Sequence, residues 1–506
     1  MTQNLKILIV TAEAAPYATI GGLGQVAYYL PRALKKLGTE VAVFIPKYGT
    51  IDEKKFKIRM LYKGLMVPTG DSERKELVCN VKVRQGTKRE PTVYFLENME
   101  YYEQRANVYG YADDHIRFAL LSRGVLEFTK LQYFKPTVLH CNDWHTGYVP
   151  NYLRTEYAGD AFFRNVTTVF TIHNLKNQGI FDFRFASPMD FDDGKSAPAS
   201  FFDPQLKKQN ALKRGIIYAD LVNTVSETYA REMMTDKYGE GLSELIKEAR
   251  DKIFGVLNGL DYNDFDPQND KAIAHTYSWK NFANRKLNKK VLQREFSLDE
   301  NPDIPILAYS GRLDSQKGIE LLMSILPHLL GEYAVQFVIL GTGDSKYKEF
   351  FTKLEADFPG RVGTHLMKNF VLPRKIYAGA DILLLPSKFE PCGIVTIEGM
   401  RYGLVPVVRK TGGLADIVTD FNPQKGIGNG FTFKNFSDLS FFGSVVRAIH
   451  AYWRKSEWER LVKSVMKEDF SWGSAAEKYL DLYERAVEFR RDRQSPVTNI
   501  GRQIEY

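Results

Sequence analysis

Short, unbroken apolar runs recur along this chain at the spacing of strands that alternate with amphipathic helices. Ile382-Leu-Leu-Leu385 is the clearest of them. Four consecutive large aliphatic residues suit a parallel strand covered on both faces, and Pro386 and Ser387 stop the run. The same rhythm begins with Lys6–Val10, a loop carrying Pro16, the turn Gly21-Gly-Leu-Gly24 and a helix that ends near Leu37 and Gly38. Apolar runs follow at Glu40–Ile45, Val138–His140, Val166–Ile172 and Leu221–Val225. After a polar stretch from Pro267 to Lys289, which reads as a linker, a second series runs Ile304–Tyr309, Val335–Leu340, Gly363–Leu366, Ile382–Leu385, Val405–Val408 and Gly430–Phe433. Two α/β units of βαβ construction are therefore expected, with ligands at the carboxyl ends of their strands. The stripe Tyr479, Leu480, Tyr483 and Ala486 marks a last helix over Ala475–Asp492, before a polar tail.

Size and composition narrow the class. A chain of 506 residues exceeds one ordinary domain, and 44 % hydrophobic residues are enough for two packed cores. The net charge of +8 is spread along the chain without blocks, so a nucleic-acid partner is not expected. Cys79, Cys141 and Cys392 are too scattered for a disulfide framework or a zinc site, which points to a reducing compartment. The run Ile7–Val10 is too short for a membrane span, with Glu13 close behind. A cytoplasmic protein without a membrane partner follows as the expectation.

Chemistry concentrates at the strand ends. After Ile382–Leu385 comes Pro386-Ser-Lys-Phe-Glu-Pro-Cys-Gly393, then a helical segment from Ile394. A helix opening at Cys392-Gly393-Ile394 presents backbone N–H groups and a positive dipole end, a ready place for a phosphate, with Glu390 beside it. Gly311-Arg-Leu-Asp-Ser-Gln-Lys-Gly318 puts Arg312 and Lys317 on another strand-end loop, where two cations can stabilise a departing diphosphate. In the first unit, His140-Cys-Asn-Asp-Trp-His145 offers Asp143 either as an acceptor for sugar hydroxyls or, with His145, as a helix cap; its two histidines are poor evidence for a metal. His173, at the end of Val166–Ile172, can donate a hydrogen bond to a sugar hydroxyl. Asn258-Gly259 reads as a turn.

Taken in order, these motifs resemble the glycogen synthase and starch synthase family, glycosyltransferase family 5, over nearly the whole chain. The resemblance rests on Gly21-Gly-Leu-Gly24, Asp143-Trp-His145, His173-Asn-Leu with Gln178-Gly179, Asn258-Gly259, Arg312 with Lys317, Glu390-Pro-Cys-Gly393 and Thr411-Gly-Gly-Leu-Ala-Asp416. It implies a GT-B fold: two Rossmann-like domains facing an interdomain cleft, here 1–266 and 267–474, and a C-terminal helix with its tail (475–506) crossing back to the first. It further implies transfer of glucose from ADP-glucose, or UDP-glucose, to the non-reducing end of an α-1,4-glucan, with retained configuration and neither metal nor cofactor. On this likeness Arg312 and Lys317 hold the diphosphate with help from the backbone at Cys392, Gly393 and Ile394. Glu390 faces the glucosyl unit, His173 binds a hydroxyl of it, Asn258 lies nearby and Asp143 faces the acceptor. Thr19, Gly21 and Gly22 form the donor side of the first loop.

Two positions depart from the family pattern. Thr19 and Gln25 stand where the family has Lys and Asp. The lost cation removes a charge-assisted hydrogen bond worth roughly 1.5–3 kcal/mol, for which Lys176 is a candidate substitute. Glu390 and Glu398 form the E-x7-E spacing of glycosyltransferase family 4, whose second Glu contacts the nucleotide ribose. A family-4-like transferase with another acceptor, and a glucan- or nucleotide-sugar-binding pseudoenzyme, are the alternative readings.

Overall fold

A computed structural model describes residues 5–180 and 192–494. Its contacts divide the chain into two units. The first comprises residues up to Val225, Ala230–Gly259 and the chain from Trp472 onward; the second comprises Ser226–Tyr229 and Leu260–Ser471.

The first unit is built on a nine-stranded sheet in the order β3-β4-β5-β2-β1-β6-β7-β8-β9. Its strands are β1 (Lys6–Val10), β2 (Glu40–Pro46), β3 (Arg59–Pro68), β4 (Glu76–Arg84), β5 (Thr92–Glu97), β6 (Val138–Asn142), β7 (Thr167–Ile172), β8 (Leu221–Thr224) and β9 (Ile253–Gly255). From β5 through β2 and β1 to β9 every pairing is parallel, whereas β4 pairs antiparallel with both β3 and β5. The antiparallel edge was not expected, although Leu77, Cys79, Val81 and Val83 alternate with outward residues as a half-covered strand requires. Chain order reverses where β1 sits between β2 and β6, so the loops after β1 and β6 border the natural crevice of this sheet.

The helix Trp472–Gln494 belongs to this unit and lies along the helix Gly22–Lys36 and β7. Its buried stripe is Ala475, Ala476, Tyr479, Leu482, Tyr483 and Ala486; Leu480 is only half-buried, because Leu482 takes the inward position. The phenol of Tyr479 accepts from Asn223 (3.3 Å) and that of Tyr483 bonds His140 Nδ1 (2.9 Å).

The second unit has a six-stranded, wholly parallel sheet in the order β12-β11-β10-β13-β14-β15. The strands are β10 (Ile306–Ser310), β11 (Gln336–Leu340), β12 (Val362–His365), β13 (Ile382–Leu385), β14 (Val405–Arg409) and β15 (Phe431–Phe433). Every side chain of β13 is buried, and four aliphatics removed from water contribute roughly 2 kcal/mol apiece before chain entropy is charged. Here the order reverses between β10 and β13, which singles out the loops 311–318 and 386–393.

The expected linker Pro267–Lys289 is instead part of the second unit. Tyr277 is buried and donates to the Tyr402 carbonyl (2.8 Å), Asp270 pairs with Arg374 (3.2 Å), and Lys289, in the helix Arg285–Glu295, meets the Asp381 carboxylate (2.8 Å). This segment is anchored by polar contacts and not by an apolar stripe, so it carried no periodic signal.

Candidate functional site

In the first unit the loop after β1 is organised by Glu13, to which no motif in the sequence assigns a role. Its carboxylate is buried, at 4 % exposure, and one oxygen accepts the N–H groups of Ile20 (2.6 Å) and Gly21 (3.0 Å). The other accepts the hydroxyl of Tyr109 (2.5 Å). The helix Gly22–Lys36 has no acidic residue in its first turn, so Glu13 supplies from outside the negative charge that a helix N-terminus favours. Thr19, Gly21, Gly22 and Gln25 are exposed around this anchor. The Gly21 N–H is thus spent on Glu13, and the expected binding residues Gly21 and Gly22 offer an open approach to backbone.

Tyr109 continues the network. Its ring stacks on His145 (centroids 4.8 Å apart, 26° between planes), which also packs against Phe118 and Trp144. Burial, with His173 and Arg117 nearby, holds His145 down to about 3, so the ring is neutral near pH 7. His140 is likewise held to about 3 by burial, and both its nitrogens are engaged, Nε2 with Thr171 (2.7 Å) and Nδ1 with Tyr483. With both lone-pair positions committed, the two histidines of this motif cannot ligate a metal together. The acidic group close enough to do so among the described residues, Glu53, Glu97 and Glu103, is ion-paired with Lys47 (2.9 Å from Glu103) and Lys82 (2.6 Å from Glu53).

Asp143 turns out to be neither a helix cap nor an open acceptor. Its backbone adopts a positive φ of 55°, and Oδ1 accepts the backbone N–H of His173 (2.8 Å), with that of Asn174 adding a second bond. Burial raises its carboxyl to about 7, against the pull of those two N–H groups. Asp143 therefore ties the loop after β6 to the loop after β7.

His173 is half-buried and held to about 4 by burial, so it too is neutral. Asn142 spends its amide hydrogens on the carbonyls of Val10 and His140 (both 3.2 Å), which turns Oδ1 toward His173 Nε2 (3.0 Å). Nε2 must then carry the proton, and Nδ1 keeps a lone pair. His173 was expected as a donor to a sugar hydroxyl; in this arrangement the nitrogen left over can accept a hydrogen bond. Asn258, beyond β9, has a buried Oδ1 without a partner among the described residues, so it retains unused acceptor capacity.

In the second unit the two loops at the order reversal are zipped together. Lys388 N–H donates to the Gln316 carbonyl (2.8 Å), and Lys317 Nζ meets Glu390 Oε2 at 2.5 Å, with Ser387 Oγ also donating to that oxygen (3.1 Å). Lys317 and Glu390 are thus brought together, only 17 % and 10 % exposed at their side chains. Arg312 stands apart: its side chain is 64 % exposed and pairs with Asp314 (2.8 Å). Arg409, buried at the end of β14, holds the carbonyls of Ser387 (3.1 Å) and Lys388 (2.6 Å), a bracing role with no sequence signal beyond a cation closing an apolar strand.

Glu390 leads to the helix Ile394–Arg401, which opens as expected with Gly393 at its cap. Gly393 has φ +84°, and a Cβ there would stand 2.8 Å from Leu414 Cδ2 and 3.6 Å from Glu390 Cγ, so only glycine lets these parts meet. Gly413, inside the Thr411–Asp416 motif, donates to the Glu390 carbonyl (2.9 Å), and a Cβ on it would strike the Cys392 carbonyl at 1.9 Å. The result is an ammonium, a carboxylate and the N-terminus of a helix within one small region, with Cys392 half-buried and Ile394 partly exposed. Glu398, one turn into the helix, is half-buried and accepts from Tyr377 (2.8 Å); burial raises its carboxyl to about 7.

Comparison with known proteins agrees with this construction. A family model described as the starch synthase catalytic domain matches residues 6–248, and one described as glycosyl transferases group 1 matches residues 292–452. Glycogen synthase of Geobacillus thermodenitrificans is 38 % identical over 484 residues, covering 96 % of this chain and 98 % of that protein. Glycogen synthase of Anoxybacillus flavithermus is 39 % identical over 498 residues, with the same coverage of 96 % and 98 %. Among solved structures, the catalytic domain of starch synthase IV from Arabidopsis thaliana, bound to ADP and acarbose, superposes with a TM-score of 0.82 at 31 % identity, covering 96 % of this chain and 100 % of that one. Two parallel-sheet units with crossovers at the motif-bearing loops, and these near full-length relatives, lead to one conclusion: the chain belongs to the glycogen synthase and starch synthase family of hexosyltransferases, glycosyltransferase family 5, with a GT-B fold.

Proposed function

We propose that this protein transfers glucose from ADP-glucose to the non-reducing end of an α-1,4-glucan with retention of configuration. The observation that carries the reading is the meeting of Lys317 and Glu390 beside the N-terminus of the helix Ile394–Arg401, at the order reversal of the second sheet. A sugar diphosphate offers a dianion for the ammonium and the helix terminus, and hydroxyls for the carboxylate. Relatives named as glycogen synthases, and a starch synthase bound to ADP and acarbose, support glucan as acceptor and ADP-glucose over UDP-glucose as donor.

In this mechanism the incoming diphosphate draws Lys317 from Glu390, and Arg312, already in solvent, swings onto the phosphates. Both cations and the helix dipole strengthen their hold as the glucosyl C–O bond breaks and charge gathers on the leaving phosphate, which lowers the barrier. The acceptor hydroxyl attacks from the same face, its oxygen bonding to the anomeric carbon while its proton passes to the leaving phosphate oxygen. This route needs no protein nucleophile, metal or cofactor. Glu390 takes hydroxyls of the glucosyl unit and the Glu398 carboxylate accepts from the nucleotide ribose, while in the first unit the lone pair of His173 Nδ1 accepts from a sugar hydroxyl. Free thiols, of which Cys79 and Cys141 are buried, fit work in the cytoplasm.

The test is incubation with radiolabelled ADP-glucose or UDP-glucose, with and without glycogen, followed by counting polymer-bound label. Label in glycogen, greater from ADP-glucose, is expected. Label only on a different acceptor would replace the glucan reading with the family-4-like one, and glucan binding without turnover would make the protein a pseudoenzyme.

A further inference from the structure

Ser387, two residues beyond β13, is fully buried and donates its hydroxyl to Glu390 Oε2 (3.1 Å), the same oxygen that Lys317 Nζ meets at 2.5 Å. Oε1 of Glu390 has no hydrogen-bond partner among the described residues and is the oxygen left for a ligand. The two donors on Oε2 are held very differently. Lys317 carries its ammonium on a flexible four-carbon stem, at the end of the single turn Ser315–Lys317. Ser387 has a hydroxyl on a short side chain, and its backbone is clamped. The buried guanidinium of Arg409 takes the carbonyls of Ser387 (3.1 Å) and Lys388 (2.6 Å), and the Lys388 N–H is bound to the Gln316 carbonyl (2.8 Å). On the far side Gly413 holds the Glu390 carbonyl (2.9 Å). The backbone from Ser387 to Glu390 is thus fixed at both ends, while the terminal torsion of the glutamate keeps the broad freedom of such a bond.

In the reaction proposed above, the incoming diphosphate takes Lys317 away from Glu390. The carboxylate then faces a ligand of its own charge, and with nothing on Oε2 it would rotate away from the phosphates and release the sugar. The Ser387 hydroxyl is the bond on Oε2 that the departure of the lysine leaves in place, and because its acceptor is ionised it is of the stronger, charge-assisted kind. We propose that Ser387 is a positioning residue that keeps the Glu390 carboxylate on the glucosyl unit once the diphosphate has claimed Lys317, a role that rests on the reading of Lys317 and Glu390 as the donor site. Ser387 itself does not touch the diphosphate in this scheme. Its loss therefore damages the chemical step and leaves the hold on the nucleotide intact.

Full-length Ser387→Ala, Glu390→Ala and the double variant are compared with wild type by initial rates of label transfer from ADP-glucose to glycogen, and by the inhibition constant of ADP, which lacks the glucosyl unit. Ser387→Ala removes a single oxygen and is expected to lower kcat about fivefold or more, with the ADP constant within about twofold of wild type. In the Glu390→Ala background the same change lowers kcat less than about 1.5-fold, because the serine acts through that carboxylate. A folded Ser387→Ala protein with wild-type kcat, beside an impaired Glu390→Ala, would overturn the serine's role alone. So would a parallel loss of ADP affinity, which marks collapse of the loop, or an equally large loss of kcat in both backgrounds. Wild-type protein that transfers no label, or Glu390→Ala with normal turnover, would bring down the reading of the donor site and the serine's role with it.

Discussion

Replacing Glu13 by Ala tests whether a buried carboxylate shapes the donor side of the first unit. Three donors converge on it: the backbone N–H groups of Ile20 and Gly21 and the hydroxyl of Tyr109. The two N–H groups lie in an exposed loop and recover water on truncation, so each forfeits only the net value of a hydrogen bond, about 0.5–1.5 kcal/mol. The Tyr109 hydroxyl, on a half-buried ring stacked against His145, is left short of a partner at about 1–3 kcal/mol. These terms are not additive, and a loss of roughly 2–4 kcal/mol is expected, enough to loosen the loop within a protein stable by 5–15 kcal/mol. If donor binding must restore that order, even 1.4 kcal/mol of it raises the donor KM about tenfold. Initial rates against donor and glycogen, with urea unfolding run in parallel, separate the two effects: the donor KM rises and the glycogen KM stays. Glu13→Gln keeps a carbonyl for both N–H groups and an amide hydrogen for the Tyr109 oxygen, so it recovers the donor KM to within about threefold. A folded Glu13→Ala protein with wild-type KM for both substrates would refute the positioning role. Equal damage in Ala and Gln variants would show that the charge, and not the loop geometry, is what matters.

Other outcomes follow from the same contacts. Lys317→Ala and Glu390→Ala should each lower turnover at least about tenfold, or roughly 1.4 kcal/mol, and near-normal rates in a folded variant would remove that residue from the proposed centre. Because the Glu398 carboxyl is raised to about 7, the donor KM should fall about tenfold between pH 6 and pH 8 as the carboxylate forms; Glu398→Gln should flatten that slope, and a retained slope would exclude Glu398 as its source. Thr19→Lys should lower the donor KM about tenfold if the missing cation is a true deficit, whereas an unchanged or raised value would count against it. His145 is depressed from 6.5 to about 3, so its stabilising neutrality is complete above pH 6.5 and is lost as pH falls below it, by about 2 kcal/mol at pH 5. Asp143 and Glu398, both raised, act in the opposite sense over the same range. The measurement is therefore a difference: urea unfolding of His145→Phe should lose about 2 kcal/mol less than wild type between pH 8 and 5, and an identical pH dependence would rule the histidine out.

What could be read from residues alone was whatever repeats or punctuates. Fully covered strands such as Ile382–Leu385 declare themselves, and Gly393 marked a helix start because its motif placed a turn residue between a strand and an amphipathic run. The hairpin edge at β3 and β4 carried a period-two signal in Leu77 to Val83 that went unused. The polar segment before Arg285 could not be assigned from periodicity, since hydrogen bonds of Asp270 and Tyr277 hold it. In the site, residue types were legible but their partners were not. Nothing in the spacing shows that Glu13 answers Tyr109 across 96 positions, or that Asn142 decides which nitrogen of His173 keeps its proton. Those facts belong to tertiary contact.

The helix Trp472–Gln494 covers part of a sheet whose strands all lie before residue 256, with 212 residues of the second unit, Leu260–Ser471, intervening. Until that helix leaves the ribosome, His140 and Asn223 lack the tyrosine hydroxyls that later serve them, and the neighbouring face of β7 stays uncovered. The nascent first unit must therefore wait, partly wet and partly adhesive, while a whole second sheet is made. Its maturation is tied to the synthesis of this helix, and a chain halted anywhere in the second unit lacks that cover.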